Sequence, residues 1–231
     1  MNNIISIKNL TKSYGDKKIK ILKKINFKFQ KGKIYSITGP SGSGKSTLLN
    51  LISLIDKPSS GSLILDNVET TAINNNQADL LRSKKIGIVY QDKNLLNDFT
   101  AIENIYLANL NIEKSEKESF NKAKKLLSKF NLIDRENHYP NQLSGGEIQR
   151  VAICRAIINE PDILLADEPT GSLDRKNAKN VFNILIKLIN KNRTIIFATH
   201  NTHFANLADC KLELNDGILI KKNVRVGYKS I

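Results

Sequence analysis

Apolar and polar positions change period several times along the 231-residue chain, and each period predicts an element. Residues 4–10 and 20–29 alternate, with Ile25, Phe27 and Phe29 on one face, as half-buried strands do. A turn at Ser13-Tyr14-Gly15-Asp16 parts them. Residues 33–38 form a short buried strand, and a helix opens at Ser46. The Pro-, Gly- and Ser-containing stretch 57–62 is a loop leading into a strand at 63–65, closed by Asp66-Asn67. Residues 74–85 are polar around Leu80 and Leu81, a surface helix, and 86–90 make a buried strand ending at Gln91. At Asp92 the pattern turns helical and stays so to about Ile158. Helices are expected over 101–110 and 115–130, where Ala123, Leu126, Leu127 and Phe130 keep helical spacing. His138-Tyr139-Pro140 breaks that run, and another helix opens at Ser144. Strands return at 163–167 and 194–199 around a helix near 177–189. Residues 210–222 read as two strands about an Asn215-Asp216-Gly217 turn.

Buried strands alternating with helices predict an α/β fold, a largely parallel sheet covered on both faces. The expected organisation is a single domain over 1–231, with a core of 1–91 and 159–231 and an inserted helical unit at 92–158. The length suffices for a substantial core. Cys154 and Cys210 sit in apolar settings without metal-like spacing and read as reduced core residues of a cytosolic protein. The first residues lack the apolar run of a signal peptide, and no stretch approaches the ~20 apolar residues of a membrane helix. The formal charge of +14 comes from Lys spread singly and in short runs from Lys8 to Lys229. Without a basic block or an RNA-stacking motif it points to a solvated surface or attraction to anionic lipid or nucleotide, with no nucleic-acid partner expected.

Candidate chemistry concentrates at Gly39-Pro40-Ser41-Gly42-Ser43-Gly44-Lys45-Ser46-Thr47, which fits the P-loop pattern G-x-x-x-x-G-K-[ST]. A strand before it and a helix after it aim backbone N–H groups and the positive helix end at one small volume, suited to phosphate. Lys45 would reach the β- and γ-phosphates and the Ser46 hydroxyl would ligate Mg²⁺. A second constellation is Asp167-Glu168, two acids at the end of the strand 163–167. Asp167 is the metal-side acid, and Glu168, pointing elsewhere, can take a proton from water attacking the γ-phosphate. The third is Leu143-Ser144-Gly145-Gly146-Glu147. Ser144 and Glu147 have capping-box spacing, and the glycines leave bare N–H groups for an anion. One P-loop site has no use for a second anion nest more than ninety residues away; two chains facing each other would.

This ordered set, together with Gln91, Ser172-Leu173-Asp174 and His200, resembles ABC-transporter ATPase subunits over almost the whole chain. The resemblance implies a P-loop NTPase fold of ABC type. Such a domain has a mainly parallel core sheet, an N-terminal antiparallel β part and an inserted helical subdomain carrying the signature helix. It implies an ATPase with ATP and Mg²⁺ as cofactors, working as a homodimer around two ATP. Each ATP would be held by the P-loop of one chain and by the Ser144-Gly145-Gly146-Glu147 segment of the other. Tyr14 matches the aromatic that stacks on adenine, and otherwise reads as a turn tyrosine on its own sheet. Gln91 would sense Mg²⁺ and the attacking water. His200 would contact the γ-phosphate, or help cap a helix beside Asn201. Asp174 would sit at the dimer seam, or serve as the N-cap of the helix from Arg175. The family signature often has Gln where this chain has Glu147.

Within the family, Tyr90-Gln91, Asn94 to Asn104 and Ala166 to Asp174 resemble the group of lipoprotein-releasing, macrolide-exporter and cell-division ATPases. That group more often has Asn at the position of Ser172. The finer resemblance implies a peripheral ATPase on the cytoplasmic face of the inner membrane. It would dock through Gln91 to Glu103 under separate transmembrane permease subunits that handle lipoprotein cargo, powering lipoprotein release towards the outer membrane. Otherwise it would serve a macrolide-type exporter or, as in the cell-division relatives, a membrane complex that signals and transports nothing. Leu95, Leu96 and Phe99 are candidates for a groove receiving a permease helix, or pack within the helical unit.

Overall fold

The structure, a computed structural model, describes residues 2–15, 19–91, 94–113 and 115–222. Asp16 of the expected turn, Asp92 at the expected start of the helical unit and Lys229 lie outside the described residues. The chain forms two compact units, residues 1–79 with 189–231, and residues 80–188.

In the first unit the alternating N-terminal stretches form long strands, β1 (Asn3–Tyr14) and β2 (Ile19–Gln30), paired antiparallel. With β4 (Ser60–Leu65) and β5 (Val68–Glu69) they make a sheet of order β2-β1-β4-β5. The β1 alternation does not run through unbroken. Asn9 takes a left-handed φ of 47°, and the pairing slips between Ile7 and Leu10. Asn26 holds the bulge, accepting from the Asn9 N–H at 2.9 Å and donating to the Asn9 side chain at 3.1 Å. A bulge re-aims every later side chain. The buried face therefore passes from Ile5 and Ile7 to Leu10 and Lys12.

The same unit contains β3 (Ile34–Thr38), β8 (Thr194–Ala198), β9 (Cys210–Asn215) and β10 (Ile218–Lys222). Here β3 pairs in parallel with both β8 and β9, and β10 returns antiparallel through the expected turn, Asp216-Gly217. Apolar side chains of β3 and β8 are buried throughout, which explains their continuous rather than alternating hydrophobicity. Helix α1 (Lys45–Ile52) follows β3 and buries Leu48, Leu49, Leu51 and Ile52.

The second unit joins β6 (Ile86–Val89) in parallel with β7 (Ile163–Asp167) and adds α2 (Asn75–Lys85, most of its length), α3 (Ala101–Tyr106), α4 (Glu116–Lys129), α5 (Gly145–Ile157) and α6 (Arg175–Lys187). Helix α5 lies tightly on β6: a Cβ at Gly87 would fall 2.1 Å from the Ala156 carbonyl oxygen. Helix α3 is shorter than the expected 101–110. Asn109 donates to the Asn159 side chain at 2.7 Å and accepts from Ser119 at 2.9 Å, and Asn159 donates to the Ala108 carbonyl at 3.0 Å. Of these groups the Ala108 carbonyl is one a longer helix would have used, and the Asn109 N–H turns back to the Tyr106 carbonyl at 2.8 Å. Cys154 is in the core, where burial pushes its thiol up. Cys210, the first residue of β9, is only half-buried, a correction to the core assignment. Among the described residues no helix is long and apolar enough to cross a membrane.

Candidate functional site

In the first unit the P-loop follows β3 directly and its backbone curls through left-handed conformations at Gly39, Gly42 and Gly44. Gly39 has no alternative: a Cβ there would meet the Leu214 carbonyl oxygen at 2.0 Å and the Ser43 hydroxyl at 2.9 Å. Gly44 caps α1 with φ 102° and offers no side chain, so the first-turn N–H groups receive no side-chain cap. Lys45 is 7% exposed and folds back over the loop, its ammonium donating to the Gly39 and Pro40 carbonyls at 2.9 Å each. The Ser43 hydroxyl is buried without a hydrogen-bond partner among the described residues. Uncapped amides, an orphaned buried hydroxyl and a lysine over a helix N-terminus make an anion cradle. Ser46 is exposed on the first turn of α1, Thr47 half-buried beside it, and Pro40 and Ser41 are exposed.

Tyr14, at the end of β1, is 44% exposed, and its hydroxyl donates to Asp56 at 2.6 Å. His200 follows β8 and is exposed. The adjoining helix α7 (Thr202–Ala205) takes its cap from Asn201, whose side chain accepts from the Phe204 N–H at 3.2 Å.

In the second unit the β6–β7 register pairs Val89 with Ala166, so Tyr90-Gln91 and Asp167-Glu168 leave neighbouring strands at the same end. Asp167 and Glu168 are half-buried. Glu168 has a φ of 43°, strained for a non-glycine residue, and its carbonyl accepts from the Gly171 N–H at 3.0 Å. A Cβ at Gly171 would sit 3.6 Å from both the Gln91 amide nitrogen and the Glu168 Cβ, so the glutamine reaches the acidic turn. β-strand pairing thus joins Gln91 to Asp167 and Glu168 across more than seventy residues of sequence.

The Ser144 segment realises the expected capping box. Ser144 donates from its N–H and hydroxyl to Glu147 at 2.8 and 2.7 Å and accepts from the Glu147 N–H at 3.3 Å. Arg135 adds a contact that spacing could not reveal, 3.0 Å from the other Glu147 oxygen. Gly146 is buried against α6, a Cβ there falling 3.0 Å from the Asn177 side-chain oxygen, while Gly145 is half-buried. Asp174 caps α6, accepting from the N–H groups of Lys176 and Asn177 at 3.0 and 3.1 Å and from the Asn177 side chain. Those bonds hold its carboxyl below the usual range, so the cap stays charged.

Burial disfavours the Glu147 charge, but hydrogen bonds from Ser144 and Arg135 outweigh it and lower its pKa. A depressed carboxylate contributes stability above its unfolded pKa, near 4.3, and loses it as pH falls through the folded value. Glu147→Gln should therefore lower stability by about 1 kcal/mol at pH 7, with the difference from wild type shrinking below about pH 4. Thermal melts from pH 7 to 3 check this.

Comparison with known proteins bears on both units. The family model described as ABC transporter matches residues 22–171. A lipoprotein-releasing system ATP-binding protein LolD of Buchnera aphidicola subsp. Schizaphis graminum is 45% identical over 224 residues, 95% of this chain and 98% of that protein. A macrolide export ATP-binding/permease protein MacB of Aggregatibacter actinomycetemcomitans is 41% identical over 230 residues, 99% of this chain and 36% of that protein. The dimeric structure of a post-hydrolysis state of an ATP-binding cassette bound to ADP and Pi matches with a TM-score of 0.89 at 38% identity, covering 96% of this chain and 100% of that one.

Proposed function

Since the chain belongs to the ABC transporter family and is the ATP-binding, ATP-hydrolysing subunit of such a transporter, we propose that it powers release of lipoproteins from the inner membrane towards the outer membrane. Support for the cargo is the 45% identity to a lipoprotein-releasing ATP-binding protein along 95% of the chain. A macrolide-type exporter is the alternative, at 41% identity. Support for the chemistry is the P-loop, where a buried lysine and an orphaned hydroxyl line a cradle of uncapped amides.

In this reading two copies pack head to tail around two ATP molecules. Residues 39–47 of one copy hold the phosphates of each nucleotide, Tyr14 stacks on adenine, and Ser144, Gly145, Gly146 and Glu147 of the other copy close over the γ-phosphate. Asp174 lies at the seam. Lys45 and the loop amides neutralise phosphate charge as water attacks in line. Glu168 takes the proton of that water, and His200 contacts the γ-phosphate. In the first unit the Ser46 hydroxyl, and in the second the Gln91 amide and the Asp167 carboxylate, would each offer the hard oxygen donor that suits Mg²⁺, which when bound would offset charge on phosphate oxygens. Residues 92–158 act as the inserted helical unit, on the cytoplasmic face of the inner membrane.

Docking of the permease subunits falls to the loop before α3. Leu96 and Phe99 are exposed and Leu95 is half-buried. Their loop is pinned by Asn104, 2% exposed, which accepts from the Leu96 N–H at 2.7 Å and donates to the Leu96, Phe99 and Thr100 carbonyls at 2.9–3.0 Å. The test is to purify the chain with its membrane subunits and assay lipoprotein release from spheroplasts. ATP-dependent release supports the reading; macrolide efflux without release supports the alternative. Asn104→Ala should leave the isolated ATPase near wild type yet cut co-purification of the membrane subunits at least severalfold.

A further inference from the structure

Around the Tyr14 ring lie Lys12 of β1 and Asp56, just past the end of α1. We propose that Asp56 and Lys12 are positioning residues that hold the Tyr14 ring as a fixed platform for adenine, so that affinity for the base is set from the far end of the P-loop helix. The proposal rests on Tyr14 being the adenine platform.

The Asn9 bulge starts the arrangement. By shifting the β1 register it turns Lys12 inward, leaving it 9% exposed. Helix α1 ends at Ile52, Leu54 takes a left-handed φ of 61°, and the N–H groups of Ile55 and Asp56 both donate to the Asn50 carbonyl at 3.1 and 3.2 Å. Asp56 is thus tied to the helix that carries Lys45 and Ser46. One Asp56 oxygen accepts from the Lys12 ammonium at 2.6 Å and from the Lys57 N–H at 2.7 Å; the other accepts from the Tyr14 hydroxyl at 2.6 Å. Lys12 donates again to the Lys57 carbonyl at 2.7 Å.

That same ammonium lies 4.7 Å from the centroid of the Tyr14 ring. A cation at that distance is attracted to the aromatic face, so the ring is held at its tip by Asp56 and over its face by Lys12. Burial alone would disfavour the Asp56 charge, but hydrogen bonds from Lys12, Tyr14 and Lys57 hold its carboxyl below the usual range. Burial and Asp56 together push the Tyr14 phenol up, so at neutral pH it remains a donor to a charged acceptor. A platform already immobilised loses less freedom when a base stacks on it, which is the gain from pre-organisation.

The test measures ATP affinity, the KM and kcat of ATP hydrolysis, and affinity for tripolyphosphate, which lacks the base, in the full chain. Tyr14→Ala should weaken ATP binding about tenfold. Asp56→Ala, Lys12→Met and Tyr14→Phe should each raise KM for ATP about threefold, with kcat at saturation within about twofold of wild type for Asp56→Ala and Lys12→Met. Tripolyphosphate affinity should stay unchanged in all of them, and Asp56→Asn, which keeps an acceptor, should recover part of the loss. If Tyr14→Ala weakens ATP but Asp56→Ala and Tyr14→Phe do not, the tether is overturned and the platform stands. If Tyr14→Ala leaves ATP affinity unchanged, the platform reading fails and the tether with it. Equal weakening of ATP and tripolyphosphate in Asp56→Ala would mean a general disturbance of the P-loop and would also overturn the proposal.

Discussion

Glu168→Gln is expected to cut ATP turnover by about 10²–10⁴-fold, the size of a lost general base, without weakening ATP binding. The substitution keeps the shape of the side chain and removes only its ability to take a proton. The site otherwise stays assembled: Gln91 still reaches the turn through the β6–β7 pairing, and the Gly171 N–H bond to the residue 168 carbonyl is untouched. ATP bound but not cleaved should hold two copies together, so the variant should elute as a dimer with MgATP and as a monomer without it. Single-turnover kinetics and sizing chromatography check both halves. Near-normal turnover would remove Glu168 from the chemistry.

Lys45→Ala is expected to abolish hydrolysis by weakening nucleotide binding itself. The ammonium is buried and already directed at the loop, so in the proposed site it would meet phosphate charge from within the cradle. Losing one preorganised donor from a site of this kind costs about 10²–10³-fold in rate, and here the lost donor would also be a full positive charge. Calorimetry should find ATP affinity reduced at least tenfold while far-UV circular dichroism is unchanged. The contrast is diagnostic: a chain that binds and stalls for Glu168→Gln, and one that scarcely binds for Lys45→Ala.

Features built from neighbouring residues were legible in the sequence. The glycine turn with Lys45, the capping box of Ser144 and Glu147, and the acids ending β7 each depend on spacings of a few residues, and local physics makes those spacings informative. Contacts between distant segments were not legible. Lys12 and Asp56 are forty-four positions apart and meet only because a bulge at Asn9 re-aims the strand. Helix α3 ends at Tyr106, short of the expected 110, and Asn109 beyond it bonds Asn159, fifty positions away. The pattern named Leu95, Leu96 and Phe99 as apolar loop residues; Asn104, which fixes that loop from beneath, resembles any polar residue on a helix until its four hydrogen bonds are seen. Arg135 at Glu147 is a similar case, a long-range ion pair added to a cap that spacing had already suggested.

Complementation between two inactive variants probes the shared site most directly. In a mixed dimer of Lys45→Ala and Ser144→Arg chains, one composite site carries both defects and the other carries neither. If each ATP is held by the P-loop of one copy and the Ser144 segment of the other, mixing should restore ATP hydrolysis well above the sum of the two variants alone. A mixture that stays as inactive as its parts, with mixed dimers shown to form, would contradict the account.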